Sequence, residues 1–232
     1  MDKYVLIVAG GKGLRMGGDL PKQFIPMRGK PLLMHTLEAF HRWDASARII
    51  LVLPEDHQPY WNMLCKEIGC KVPHAIVKRG DTRFFSVKNG LDWLLAERRR
   101  KGEEDSGLSL VAVHDGVRPF VSPEVVEACF DKAAVTGAVI PVVPMIDSLR
   151  ETDEKGSHPV DRSRYMAVQT PQVFHLELLT KAYEQPYSSL FTDDASVVEA
   201  MGHAIDTVPG DRENIKITTP FDLLIAEAMF AR

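Results

Sequence analysis

Cysteine is scarce in this 232-residue chain. The three present, Cys65, Cys70 and Cys129, are odd in number and sit among apolar neighbours. That excludes a disulfide framework and fits reduced thiols in a reducing compartment. No apolar run approaches the ~20 residues that cross a bilayer. Tyr4 to Ala9 is too short for a signal peptide and leads straight into a loop. The expected location is therefore the cytoplasm. Basic residues do not outnumber acidic ones: 28 against 32 gives a net charge of −4, with no excess to hold a nucleic-acid backbone. The one dense basic cluster, Arg98 to Lys101, ends an amphipathic helical pattern. Cations complement the helix dipole there, and the cluster is expected to be a solvated helix end. The eight histidines show no pairing at metal-ligand spacing. There is no internal repeat and no low-complexity tract.

What is present is a core of ordinary size, with 45% hydrophobic residues, and a length suited to one α/β domain. Short apolar runs alternate with helical patterns, as an open, mostly parallel sheet with helices on both faces requires. Strands are expected at 4–8, 48–53, 74–77, 110–113 and 138–143. Trp61, Leu64, Cys65 and Ile68 share one helical face that Gly69 closes. Phe84, Val87, Leu91, Leu94 and Leu95 form a second stripe. Ser122-Pro123 and Thr219-Pro220 each place a capping hydroxyl before a proline at the first helical position, and Gly137 closes the first of these helices. Residues 145–168 break the rhythm. They are polar and patternless, which in a compact domain marks a functional loop or arm.

The first strand ends in a glycine-rich loop, Ala9 to Gly18, followed by Pro21-Lys22-Gln23. Glycines after a first parallel strand let backbone N–H groups approach a phosphate chain. The dinucleotide fingerprint fails, because Met16 stands where a third glycine belongs. The P-loop fails for want of Gly-Lys-Ser/Thr. The loop offers instead two cations, Arg15 and Lys22, suited to flank a triphosphate whose charge rises during displacement. The fourth strand ends in His114-Asp115. An acid at the carboxyl end of a central parallel strand faces the ligand crevice of open α/β sheets, and Asp115 is the candidate Mg²⁺ ligand. For His114 a catalytic and a supporting role both stay open. Gly80 to Ser86 opens a helix whose N–H groups suit base or ribose contacts. Gln169 to Gln172, Thr192 to Ser196 and Asn214 to Lys216 are polar clusters beside apolar runs, each readable as loop chemistry or as ligand contact.

Taken together, these segments resemble the 2-C-methyl-D-erythritol 4-phosphate cytidylyltransferase family. The resemblance runs nearly end to end: Gly13 to Met16 with Pro21 to Gln23, Gly80 to Arg83 with Ser86-Val87, His114-Asp115 with Arg118-Pro119, Asp161-Arg162, Thr170 to Gln172, Thr192-Asp193 with Ala195-Ser196, and Asn214 to Lys216. It implies a Rossmann-like fold with a projecting β-arm at 145–168 that interlocks a homodimer. It implies cytidylyl transfer from CTP to methylerythritol phosphate with Mg²⁺, and ribitol 5-phosphate is the alternative acceptor. In catalysis Arg15, Lys22 and Lys216 would steady the triphosphate and the transition state. Ala9, Gly10, Gly11, Gly13, Asp81, Ser86 and Asp115 would bind the nucleotide, with the metal on Asp115. Ser148, Arg162, Thr170 and Thr192 would contact the sugar phosphate, Ser148 reaching the partner's site. The chain departs from the family in its opening motif, Val8-Ala9-Gly10-Gly11, where a proline and a second alanine are usual. It departs again at Gly116-Val117, where two alanines are usual, and at Ser148, where threonine is.

Overall fold

In the computed structural model, which describes residues 1–11, 20–103 and 107–231, the first strand, β1 (Asp2–Val8), is buried on both faces. Successive side chains of a strand point to opposite sides, so β1 feeds two cores. Val5 and Ile7 enter one, Tyr4 and Leu6 the other. A short hairpin of β2 (Pro26–Met27) and β3 (Lys30–Pro31) follows, then α1 (Leu32–Trp43), β4 (Arg48–Leu53), α2 (Gln58–Ile68), β5 (His74–Lys78) and α3 (Arg83–Lys101). Next come β6 (Ser109–Asp115), α4 (Pro123–Thr136) and β7 (Ala138–Pro144). The chain continues through β8 (Leu149–Asp153), β9 (Gly156–Val160), β10 (Met166–Val168), β11 (Gln172–His175) and α5 (Leu176–Ala182). It finishes with α6 (Asp194–Glu199), β12 (Asp206–Pro209) and α7 (Pro220–Phe230).

The five expected strands are β1, β4, β5, β6 and β7. They belong to an eight-stranded sheet ordered β10-β7-β11-β6-β1-β4-β5, with β12 also paired to β7. Strands β6, β1, β4 and β5 run parallel, and Leu6 sits between Ile50 and Val113. Residues of α1, α2 and α4 cover the Val5–Ile7 face, and residues of α3, α5 and α6 cover the Tyr4–Leu6 face. The caps behave as the sequence predicts. Gly69 is left-handed at φ 74° after α2, and the Ser122 and Thr219 hydroxyls accept from Val125 and Asp222 N–H groups. Among the described residues no helix is long and apolar enough to cross a membrane.

Two features differ from the sequence reading. Strand β11 is inserted antiparallel between β6 and β7; it is four residues long and begins in a polar cluster, so its buried Val173 and Phe174 leave too short a pattern to read. Arg98 is not solvated. It is buried, and its guanidinium donates to Tyr4 Oη at 2.7 Å, Ser109 Oγ at 2.8 Å and the Glu103 carbonyl at 2.7 Å. It thereby ties α3 to the starts of β1 and β6. Within 145–168, β8 and β9 pair as an exposed two-stranded ribbon, Leu149 opposite Val160. Both faces of this ribbon meet solvent, so no alternation marks it.

Candidate active site

The register that aligns Val8 with Asp115 puts the loop after β1 beside the end of β6, at the carboxyl edge where parallel sheets receive ligands. Gly116 permits the close approach. A Cβ there would lie 2.8 Å from Ala9 Cβ, and its N–H donates to the Val8 carbonyl at 2.9 Å.

Asp115 collects two cations on one oxygen. Lys216 Nζ lies 3.0 Å and Arg118 Nε 3.1 Å from Oδ2. Burial acts to raise the Asp115 pKa, but Lys216, Arg83 and Arg118 outweigh it and hold the carboxyl well below the usual carboxylate range. The carboxylate is therefore an anion at any physiological pH. Its other oxygen has no hydrogen bond or ion pair among the described residues. Lys216 is delivered by a loop stitched to this strand end. Arg118 Nη1 donates to the Asn214 carbonyl at 2.8 Å, the buried Asn214 amide donates to the Thr170 carbonyl at 2.8 Å, and Ile217 N–H donates to the Val117 carbonyl at 3.0 Å.

Beneath Asp115 runs a chain of hydrogen bonds that fixes proton positions. His114 Nε2 lies 3.1 Å from the Arg118 carbonyl, which can only accept, so Nε2 carries the hydrogen. Nδ1 is then the acceptor for the Thr170 hydroxyl at 3.0 Å. The Thr170 oxygen in turn accepts the Asp115 N–H at 3.1 Å. Burial pushes His114 down to about 4, so the imidazole is neutral. Its place is supportive: it holds Thr170, and Thr170 holds the Asp115 backbone.

Lys22 sits in a single 3-10 turn, Lys22–Phe24, whose next two residues are buried anchors. Gln23 Nε2 pairs with His57 Nδ1 at 3.2 Å, and the Phe24 ring packs against Tyr60 and Trp61. The lysine is thereby turned toward the first loop: a Cβ on Gly11 would lie 3.5 Å from Lys22 Cε. A cavity of about 240 Å³ brings together Ala9, Gly10, Gly11, Lys22, Asp81, Ser86, Asp115 and Lys216. Those are eight of the residues expected from the sequence. A larger hollow of about 910 Å³ lies near the start of β6, between the end of α3 and α5, and among the described residues none of the expected ones line it.

Arg15 and Gly13 fall outside the described residues. Asp81 is exposed, whereas the Ser86 hydroxyl is turned inward, donating to the Thr82 carbonyl at 2.8 Å and accepting from Gly80 N–H at 3.2 Å. Thr170 is buried behind Asp115 and does not line the cavity. Ser148, Arg162 and Thr192 are exposed and also lie off it. Arg162 bonds the Ile146 carbonyl, and Thr192 N–H donates to Ser196 Oγ at 3.0 Å.

The sequence reading passed over Arg83 as a site residue. It lines the cavity and grips Asp194 with two bonds of 2.8 and 2.6 Å, while Tyr183 Oη donates to the same carboxylate at 2.6 Å. This pair joins the start of α3 to the start of α6, and so joins the Gly80–Ser86 segment to the Thr192 segment. Its signal in the sequence was only an arginine one residue after a capping threonine. Among the described residues no group of three or more His, Cys, Asp or Glu is arranged to hold a metal.

A sequence model of the 2-C-methyl-D-erythritol 4-phosphate cytidylyltransferase family matches residues 4–232. The enzyme of that name from Bacteroides fragilis is 55% identical over 229 residues, covering 99% of this chain and 100% of the relative. That from Porphyromonas gingivalis is 51% identical, covering 98% and 97%. The crystal structure of the Thermus thermophilus enzyme aligns at a TM-score of 0.74 with 31% identity, covering 100% of both chains. A 4-diphosphocytidyl-2C-methyl-D-erythritol synthase from Anaerococcus prevotii aligns at 0.79 with 28% identity, covering 100% and 96%. Matching sequence, matching fold and a cation-lined pocket on the loop after β1 agree, and the chain belongs to the 2-C-methyl-D-erythritol 4-phosphate cytidylyltransferase family.

Proposed function

We propose that the cavity at the ends of β1 and β6 transfers the cytidylyl group of CTP to 2-C-methyl-D-erythritol 4-phosphate, releasing pyrophosphate. One observation carries the reading: Lys22, Lys216 and the ionised Asp115 converge on the glycine-lined loop after β1. The acceptor's phosphate is the nucleophile. Its second pKa near ~6 makes it an anion at neutral pH, so the site needs no general base, and neutral His114 is not placed as one. The oxygen attacks the α-phosphorus in line as the bond to pyrophosphate breaks. Lys22 and Lys216, with Arg15 assigned by the resemblance, balance the charge that grows on the phosphoryl oxygens. Backbone at Ala9 to Gly11, with Gly13, Asp81 and Ser86, is assigned to the base and ribose.

Asp115 would hold Mg²⁺ by its carboxylate, one oxygen of which is paired with cations while the other is uncommitted among the described residues. The ion would screen the repulsion between two anionic substrates. Thr192, Thr170, Ser148 and Arg162 are assigned to the acceptor. Ser148 and Arg162 lie off their own chain's cavity on or beside the exposed ribbon, which supports a homodimer whose 145–168 arm serves the partner's site. Ile146, Tyr165, Met166 and Val168 are apolar and exposed around it, as an uncovered interface would be. The free thiols of Cys65, Cys70 and Cys129 support the cytoplasmic placement.

The test is pyrophosphate release with CTP and Mg²⁺, comparing methylerythritol phosphate with ribitol 5-phosphate. Preference for the former is expected. Turnover with ribitol 5-phosphate alone would move the chain to the alternative acceptor, and no release with either would end the reading.

A further inference from the structure

At the end assigned to the base, Arg79 and Asp81 separate the cavity from a second hollow. Arg79 follows β5, and its N–H donates to the Leu53 carbonyl at 2.8 Å. Its side chain lies back across the loop after β1, where Nη1 donates to the Gly10 carbonyl at 2.7 Å. On one side Arg79 lines the nucleotide cavity, beside Asp81. On the other it lines a separate hollow of about 520 Å³, with Pro54, Glu55 and Lys78. Arg79 and Asp81 line both spaces and so stand between them.

The seat beneath it is a glycine for a reason. A Cβ at Gly10 would lie 2.9 Å from Arg79 Cδ, closer than carbon atoms pack, so an alanine there would lift the arginine off the loop. Arg79 makes no ion pair and no other side-chain hydrogen bond among the described residues. Since a guanidinium has five N–H donors, most of them are uncommitted.

We propose that Arg79, seated on Gly10, is the base-selecting wall of the nucleotide site: it limits the base end to a pyrimidine and presents N–H donors to the ring's acceptors. A purine carries a second fused ring, and admitting it requires displacing the guanidinium from the Gly10 carbonyl into the outer hollow. Arg79 acts as a specificity residue and takes no part in the displacement at phosphorus. The inference rests on the assignment of Ala9 to Gly11, Asp81 and Ser86 to the base and ribose.

The experiment measures kcat/KM for CTP, UTP and ATP in the full-length protein and in Arg79→Ala, Gly10→Ala and the double variant. Arg79→Ala is expected to lower the CTP-over-ATP ratio at least tenfold, with most of the change in KM. Gly10→Ala alone should lower it in the same direction, and should add less than twofold on the Arg79→Ala background. A CTP-over-ATP ratio within twofold of the parent in Arg79→Ala overturns the proposal. So does an equal Gly10→Ala effect on both backgrounds. Asp81→Ala and Ser86→Ala separate the two levels. If neither raises KM for CTP, the base end has been misassigned. If they raise it while Arg79→Ala keeps its selectivity, the wall alone is refuted.

Discussion

Neutral His114 links the pH dependence of stability to the support of the active site. In the unfolded chain its imidazole has the ordinary value near ~6.5, while burial in the fold holds it to about 4. The unfolded state therefore binds the proton first. His114 contributes stability in full above the unfolded value, and this is lost as pH falls from about 6.5 toward 4. With those two values, linkage gives a loss of ~2 kcal/mol between about pH 7.5 and pH 5 from this residue alone. Burial also lowers His35 and His74, adding losses of the same sign, so the effect must be read by difference. Urea unfolding followed by tryptophan fluorescence at the two pH values, for the parent and for His114→Gln, supplies it. The variant starts less stable but should lose ~2 kcal/mol less on acidification. An identical loss in both proteins would refute the neutral, buried assignment. Protonation in the fold, near pH 4, would also put a hydrogen on Nδ1, where the Thr170 hydroxyl now donates, so the Asp115 support should fail only there, below the range in which stability is lost.

Lys22→Ala and Lys216→Ala should each lower kcat by ~10²–10³ with circular dichroism unchanged, since each removes a cation from the growing phosphoryl charge; pyrophosphate release checks this, and near-parent turnover in both would remove them from the mechanism. Arg83→Lys cannot make the two-pronged bond to Asp194 and should destabilise the fold by ~1–3 kcal/mol, read as a shifted urea midpoint. Gly116→Val places carbon where Ala9 Cβ already lies within 2.8 Å, and should cost ~1–3 kcal/mol or more while raising KM for CTP through the displaced first loop. Light scattering should find the parent dimeric and a variant lacking 149–160 folded but monomeric; a monomeric parent would end the dimer reading, and a dimer in both would move the interface elsewhere.

The parallel half of the sheet was legible because β1, β4 and β6 are buried on both faces and read as unbroken apolar runs. Capped helices were legible too, since Ser122-Pro123 and Thr219-Pro220 state their own boundaries. Cavity-lining residues at strand ends, Asp115 above all, could be picked out by position. Support was not legible. The bonds that join Thr170 to the end of β6 and Asn214 to Thr170 span more than forty residues of sequence, and no local pattern announces such partners. Arg98 was misjudged for the same reason: a basic run at a helix end looks alike whether one member turns inward to Tyr4 and Ser109 or all four face water. Arg79 carried no signal until Gly10 was seen lying beneath it.

The antiparallel β11, wedged between β6 and β7, has a consequence for how the chain is made. A nascent polypeptide leaving the ribosome presents β6 and β7 well before β11 emerges, and until then both have an open edge. Open edges invite pairing with other chains, and filling this gap is a long-range event that slows folding. The Val173 amide, pulse-labelled during refolding, should gain protection after the β1–β4 pair and together with the Asp115 amide, which donates to Thr170. Maturation of the catalytic end would then await one four-residue insertion.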